Sequence, residues 1–201
     1  MPRIIGITGN IASGKTSVGQ HLLELGVKRY IDADALVHRL YERGQPIAAS
    51  VAEAFGAEVM ASDGSVDRKA LSKLVFERRE AMQRLERIVH PAVGAALLEE
   101  LSTLQASDIV VIDAVKLLEG GSGALAQSKW LVVCTEEQQM ERLKRRNGLS
   151  NAEAQARIQA QPELAPKYAL VDEVIDNSGS PAETRGQVEA AFQRFLKKFS
   201  T

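Results

Sequence analysis

The sequence predicts an α/β protein: a three-layer sandwich with a five-stranded parallel sheet at its centre and a helical insertion in the middle of the chain. Three observations carry this. Short apolar runs alternate with stretches of helical period along the chain. The run DIVVID, Asp108–Asp113, is continuously β-branched, as suits a strand buried on both faces. From about Ala35 to Ser107, by contrast, the pattern is mostly helical, with no strand of comparable strength.

The first strand spans about Arg3–Ile7. The helix that follows the next loop places Val18, Leu22 and Leu25 on one face and stops at Gly26, a natural helix terminator. KRYIDAD supplies a short second strand, DIVVID the third, KWLVVCT the fourth and DEVIDNSG the fifth. Val188, Phe192, Phe195 and Phe199, at offsets 4, 7 and 11, lay an apolar stripe along a closing helix. Within the helical interval, DRKALSKLVF, REAMQRLERIV and PAVGAALLEEL read as three helical stretches. A crossover between parallel strands needs far fewer residues. The excess reads as an insertion over one edge of the sheet, although helices that thicken the core fit the same letters.

The composition is that of an ordinary globular chain: 201 residues, 45% hydrophobic, 25% charged, net charge −1. Without a basic excess, nothing points to nucleic acid or an anionic membrane surface as a partner. Cys134, the single cysteine, excludes an internal disulfide and reads as a small core residue within WLVVCT. No apolar run approaches the roughly 18 residues of a membrane span. The start MPRIIGITG lacks the basic-then-apolar layout of a secretion signal. The expectation is a cytoplasmic protein, a monomer or weak homo-oligomer.

Chemistry enters with Gly9–Thr16, GNIASGKT, which fits G-x-x-x-x-G-K-[ST] between a strand and a helix. Glycines let backbone N–H groups turn inward around oxyanions, and the next helix aims its unpaired N–H groups at the same charge. Lys15 reaches the β and γ oxygens of a nucleoside triphosphate, and the Thr16 hydroxyl completes the shell of a magnesium ion. The fold is therefore a P-loop sandwich, with Asn10, Ile11, Ala12, Ser13, Gly14, Lys15, Thr16 and Ser17 as the phosphate-binding residues and ATP with Mg²⁺ as the expected cofactors. A GTPase switch fits poorly: Asp113 is followed three residues on by Lys116 rather than glycine, and no N-K-x-D stretch is present.

IDAD places Asp32 and Asp34 at the end of the second strand, the sheet edge where ligands gather in open α/β folds. Strands lie about 4.8 Å apart, so an Asp one or two strands from the loop sits about 5–10 Å from a γ-phosphate. If the strand runs through both residues, their side chains face opposite sides and only one meets the reaction. Capping of the helix that opens at DADALVHRL explains the same two residues.

The loop, IDAD, Phe55-Gly56, DGSVDRKAL, His90-Pro91, RNGLS and DEVIDNSG together resemble the dephospho-CoA kinases, in order from residue 4 to residue 180. The resemblance implies ATP-dependent phosphorylation of the ribose 3′-hydroxyl of dephospho-CoA, the last step of coenzyme A biosynthesis. It implies a nucleotide-binding core at 1–34 and 108–201, a lid at about 142–165, and an acceptor-binding insertion at 35–107. Asp34 matches the family's proposed general base, with Lys15 and Arg142 as the other catalytic candidates. His90 and Asp113 join Asp34 on the acceptor side. Arg142 and Arg146, four apart on one helix face, match the lid; Asn177 in DNSG falls where the adenine of ATP belongs. Plainer readings stay open: a turn and helix start at His90, a solvated helix end at the arginines, an Asn/Gly turn at Asn177. So do a P-loop kinase of another small acceptor and a nucleotide-binding protein without phosphotransfer.

Three stretches depart from the family pattern. The loop is commonly GGIGSGKS; here Asn10 and Ala12 replace glycines, and alanine tolerates positive φ poorly. Either Ala12 keeps negative φ or the loop is strained. After the third strand, DAVKLLE stands where D-V-P-L-L-F-E is usual, placing Val115 and Lys116 at altered positions. AQPELAPKYALV carries two prolines where a charged helix is more common, so the lid hinge is expected to differ.

Overall fold

The computed structural model describes every residue except Glu77, Gly120 and Thr201. In chain order the elements are β1 (Arg3–Thr8), α1 (Lys15–Glu24), β2 (Arg29–Asp32), α2 (Ala33–Leu40), α3 (Pro46–Phe55), α4 (Arg68–Phe76) and α5 (Arg79–Ser102). There follow β3 (Ile109–Asp113), β4 (Ser128–Val133), α6 (Glu136–Asn147), α7 (Asn151–Gln159), α8 (Ala165–Tyr168), β5 (Glu173–Asp176) and α9 (Pro181–Lys197). Short 3₁₀ turns occupy Ala57–Val59 and Gly121–Leu125.

The strands lie in the order β2-β3-β1-β4-β5, and every pairing is parallel. Ile7 and Asp32 both pair with Asp113, Thr8 pairs with Leu131, and Val133 pairs with Asp176. The register therefore brings the carboxyl ends of all five strands to one edge, the edge from which the glycine-rich loop springs. Ile5, Ile7, Val111, Trp130 and Val132 form a buried core with Val18 and Leu22 of α1 and Val188, Phe192 and Phe195 of α9. The apolar stripe at Val188, Phe192, Phe195 and Phe199 has a direct cause in packing: Phe195 stacks near Phe192 and meets Phe199 edge-on, with ring centroids 5.1 Å apart in the second pair. Arg3 caps the stripe with its guanidinium 4.6 Å over the Phe199 ring.

The chain divides into two compact units, 1–32 with 104–201, and 33–103. The second is built on its own apolar cluster, including Val51, Phe55, Val59, Leu71, Val75 and Val89. Here the structure differs from the sequence reading. The two helical stretches on either side of His90-Pro91 are one helix, α5, which runs through Pro91 without a break between elements. A proline inside a helix loses its own N–H bond to the carbonyl four residues back. Pro91 and Arg87 both lie on the exposed side of α5, so water can take that carbonyl, while buried Val89, Leu97 and Leu101 hold the helix from the other side. His90 is consequently a mid-helix residue rather than a turn.

Candidate active site

The loop between β1 and α1 begins with Gly9 at φ 152° and ends with Gly14 at φ 105°. Neither position admits a side chain: a Cβ on Gly9 would lie 2.2 Å from the Val132 carbonyl oxygen, and one on Gly14 would lie 1.9 Å from Asn177 Nδ2. Between them Ala12 sits at φ 59°, the one non-glycine residue with positive φ among those described. The loop is thus strained at Ala12. The left-handed conformation costs an alanine about 1–2 kcal/mol, partly offset by the greater entropy a glycine loses on folding. Ala12→Gly is expected to raise stability by about 1 kcal/mol, a rise in Tm of about 2–4 °C for a chain of this size. An unchanged or lower Tm in calorimetry would show that Ala12 is comfortable where it is.

What holds Ala12 there is a set of side chains that take the loop's carbonyls from outside. Arg142 of α6 donates from Nη1 to the Ala12 oxygen at 3.0 Å and the Ser13 oxygen at 3.1 Å, and from Nη2 to the Asn177 oxygen at 3.1 Å. Asn177 Nδ2 also donates to the Ser13 oxygen at 2.8 Å, and its Oδ1 accepts from Thr184 at 3.0 Å. Gln139 donates to the Ile11 oxygen at 2.9 Å, and Gln161 accepts from the Ile11 N–H at 3.1 Å. Asn10 reaches the Pro162 carbonyl at 3.3 Å. With these carbonyls drawn outward, the N–H groups that open α1, at Lys15, Thr16 and Ser17, have no intrahelical partners. They and the helix dipole offer positive potential to an anion.

Cys134 is not the core residue its apolar run suggests. It lies half-buried just past β4, and its thiol, pushed up in pKa chiefly by burial, donates to the Ala12 oxygen across 3.7 Å.

Lys15 bends back across the loop, its ammonium 2.9 Å from the Gly9 oxygen. Beside it opens a cleft of about 1350 Å³, lined by Lys15, Thr16, Ser17, Arg142, Arg145, Arg146 and Asn177 among others. Its far wall is made by α1 and α9, where Arg185 pairs with Glu24 at 3.1 Å and Glu24 with His21 at 3.0 Å. His21, with Arg185 close by, holds the Glu24 carboxyl below its usual range. That cluster largely cancels its own charge, so the cations at the loop end set the sign of the cleft. Arg146 is exposed on the last turn of α6, its Nε bonded to Asn147.

The remaining candidates divide. Asp113 is buried at the end of β3 and accepts a hydrogen bond from the Tyr30 hydroxyl. Burial, then the Asp113 charge, raises the Tyr30 phenol well above its ordinary pKa. Asp32 ends β2, but Asp34 lies in the first turn of α2, so strand alternation does not govern it. Both carboxylates are exposed, and Asp34 complements the dipole at the start of α2. His90 is exposed on α5, next to Gln83, Glu86, Arg87 and Pro91 around a shallow surface pocket. Lys116 is exposed.

The sequence points to none of Gln139, Gln161 and Lys167. Lys167 of α8 is 3% exposed; its ammonium donates to the Val115 oxygen at 3.3 Å and lies 3.5 Å from Glu119. The Thr8 hydroxyl bonds the same carbonyl at 3.0 Å, so Lys167 ties the proline-containing segment to the root of the loop. Its letters give no periodic or motif signal, because its partner is a main-chain oxygen.

This architecture has relatives. The model of the dephospho-CoA kinase family matches residues 3–183. A dephospho-CoA kinase of Symbiobacterium thermophilum is 44% identical over 95% of this chain and 80% of its own length. One of Carboxydothermus hydrogenoformans is 41% identical over 97% and 95%. A solved structure from Thermus thermophilus superposes with a TM-score of 0.82 at 34% identity, covering 100% of this chain and 99% of that one. The loop, the sheet order and these likenesses agree: the chain belongs to the dephospho-CoA kinase family, P-loop enzymes that phosphorylate dephospho-CoA with ATP as donor.

Proposed function

We propose that this chain moves the γ-phosphoryl group of ATP to the ribose 3′-hydroxyl of dephospho-CoA, in the cytoplasm and with Mg²⁺. The observation that carries the reading is the loop whose carbonyls at Ile11, Ala12 and Ser13 are all held from outside, beside a cleft of one predominant charge. A triphosphate is the ligand such a surface suits.

In the reaction the 3′-oxygen bonds the γ-phosphorus as the bond from that phosphorus to the β,γ-bridging oxygen breaks. ADP leaves with the electron pair, and the hydroxyl proton passes to Asp34. Phosphoryl transfer is loose, so Asp34 mainly orients the hydroxyl and takes the proton late. Residues 10–17 bind the phosphates, Lys15 neutralises the β and γ oxygens, and Arg142 keeps the loop in shape from behind. Arg146 and Asn177 border the nucleotide. His90 and Asp113 serve the acceptor side, which is assigned to residues 35–107, and the lid to about 142–165.

Among the described residues no three His, Cys, Asp or Glu side chains gather as a metal-binding set. The hydroxyl of Thr16, exposed to the cleft at the start of α1, is a hard oxygen beside the phosphate loop. That fits Mg²⁺, which keeps several waters and takes its other ligands from substrate phosphates. When bound, it would offset the negative charge of the phosphate oxygens during transfer. Thr16 would hold it.

The reading is tested by incubating the chain with Mg·ATP and a panel of acceptors: dephospho-CoA, nucleosides, nucleotides and small hydroxy acids. ADP release and product mass are followed, with phosphorus–proton coupling to place the new phosphate. Dephospho-CoA alone is expected to gain one phosphate, at the 3′ position. Transfer to a different acceptor, or ATP hydrolysis with none, would overturn it.

A further inference from the structure

The chain passes the phosphate loop on α6, runs out along that helix, returns along α7 and meets the loop again at residues 161 and 162. Both meetings are made on one residue. Gln139, on the outgoing helix, donates from Nε2 to the Ile11 oxygen at 2.9 Å; Gln161, just past α7, accepts from the Ile11 N–H at 3.1 Å. The main-chain acceptor and donor of Ile11 are thus taken up by two glutamines, one on each side of residues 140–160. A third bond lies alongside, from Asn10 Nδ2 to the Pro162 oxygen at 3.3 Å. Two departures from the family pattern meet in that contact: the asparagine of the loop and a proline of AQPELAPKYALV.

Between these anchors the two helices are tied to each other. Gly148, at φ 65°, ends α6, and Ser150 opens α7 with a reciprocal capping box to Glu153. Gln155 on α7 donates to Glu136 on α6 at 2.7 Å. Helices joined in this way keep their mutual arrangement, so the place of the pair beside the loop is set by its fastenings. The outgoing end is held by Gln139, by Arg142 on the Ala12 and Ser13 oxygens, and by buried Leu143. The returning end is fastened by Gln161 and Asn10, ahead of the buried Lys167 of α8. The pair carries Arg145 and Arg146, which line the cleft, and the exposed Arg157.

We propose that Gln161 is a positioning residue: by holding the Ile11 N–H it seats the returning end of the α6–α7 pair on the phosphate loop, and so sets where the pair's guanidinium groups stand during transfer. The proposal rests on the reading of residues 142–165 as a lid, given above, and deepens it by assigning the lid's seat to one side chain. The loop's own shape does not depend on this bond, because Gln139, Arg142 and Asn177 still hold the carbonyls of Ile11, Ala12 and Ser13. Loss of the seat therefore leaves the grip on a nucleotide's phosphates and displaces the cations that meet charge developing in the transition state, where small errors of position cost rate. The group at Ile11 is a donor, so residue 161 needs to supply an acceptor and nothing else.

The test is steady-state turnover with Mg·ATP and dephospho-CoA, set beside calorimetric binding of ADP, for the wild-type chain, Gln161→Ala and Gln161→Glu. Gln161→Ala is expected to lower kcat about tenfold while the Kd for ADP stays within about twofold of the wild type. Gln161→Glu keeps an acceptor oxygen at the same reach and is expected to hold kcat within about threefold of the wild type, its added negative charge accounting for the remainder. If the wild type spares dephospho-CoA and phosphorylates another acceptor, the functional reading is corrected and the same comparison is made on that acceptor. Transfer to no acceptor overturns the functional reading and the seat together. With an active wild type, undiminished kcat in Gln161→Ala overturns the seat alone. So does a parallel loss of ADP affinity and kcat, which assigns Gln161 to the shape of the loop. Equal impairment of Gln161→Glu and Gln161→Ala, or a Gln161→Ala chain that does not fold, also overturns it.

Discussion

Asp34→Asn is expected to lower kcat by about a hundredfold while leaving the calorimetric Kd for ATP within about twofold of the wild type. The substitution keeps the shape of the side chain and its exposed place in the first turn of α2. On the proposed function it removes the basic oxygen that would receive the acceptor's proton. General-base contributions run from about 10² to 10⁴-fold, and the low end applies here because little negative charge builds on the attacking oxygen in a loose transfer. A loss of ATP affinity in parallel with kcat would move Asp34 from the reaction to the fold. Full activity in Asp34→Asn would leave its carboxylate as a helix-dipole partner and nothing more.

Arg142→Met carries the second large effect, and it separates two roles for the same arginine. The resemblance places Arg142 among lid cations that close over phosphate. The structure instead gives three of its hydrogen bonds to main-chain oxygens, at Ala12, Ser13 and Asn177. Charge-assisted bonds of this kind contribute about 1.5–3 kcal/mol each when partly screened from water. Their loss frees two loop carbonyls to turn inward, toward the phosphates, and leaves the strained Ala12 without its main restraint. Arg142→Met is therefore expected to weaken ADP binding about tenfold or more and to lower Tm. A variant with normal ADP affinity and Tm but a collapsed kcat would return Arg142 to the lid role.

Much of this was legible in the chain itself. Strands showed because β-branched runs such as DIVVID suit positions buried on both faces, and the loop showed because its glycines, lysine and hydroxyl stand at the spacing a phosphate loop needs in front of a helix. The stripe from Val188 to Phe199 marked α9 for the same reason: packing against a sheet imposes a period. What escaped notice lacks periodicity. Pro91 reads as a helix start because a proline supplies no N–H, yet exposure of that side of α5 lets the helix carry it.

The candidate site follows the same division. Residues 9–16 could be named from their spacing, and Asp113 from the resemblance of DAVKLLE to the family's segment. Gln139, Gln161 and Lys167 could not, because each bonds a backbone group and the backbone has no letter in the sequence. Tyr30 hid behind its strand propensity, since an aromatic residue in a short strand needs no special reason. The positive φ of Ala12 was open in the letters and became definite only with the neighbours that impose it.

The account depends on a backbone cradle that grips the phosphate tail of a nucleotide rather than its base. The most direct measurement is a calorimetric series of ATP, ADP and AMP on the wild-type chain, set beside Arg142→Met. The account predicts a steep fall in affinity when the β-phosphate is removed, at least tenfold from ADP to AMP, and a difference between ADP and AMP that largely disappears in Arg142→Met. Equal affinity for ADP and AMP in the wild type, or an undiminished difference in Arg142→Met, would contradict it.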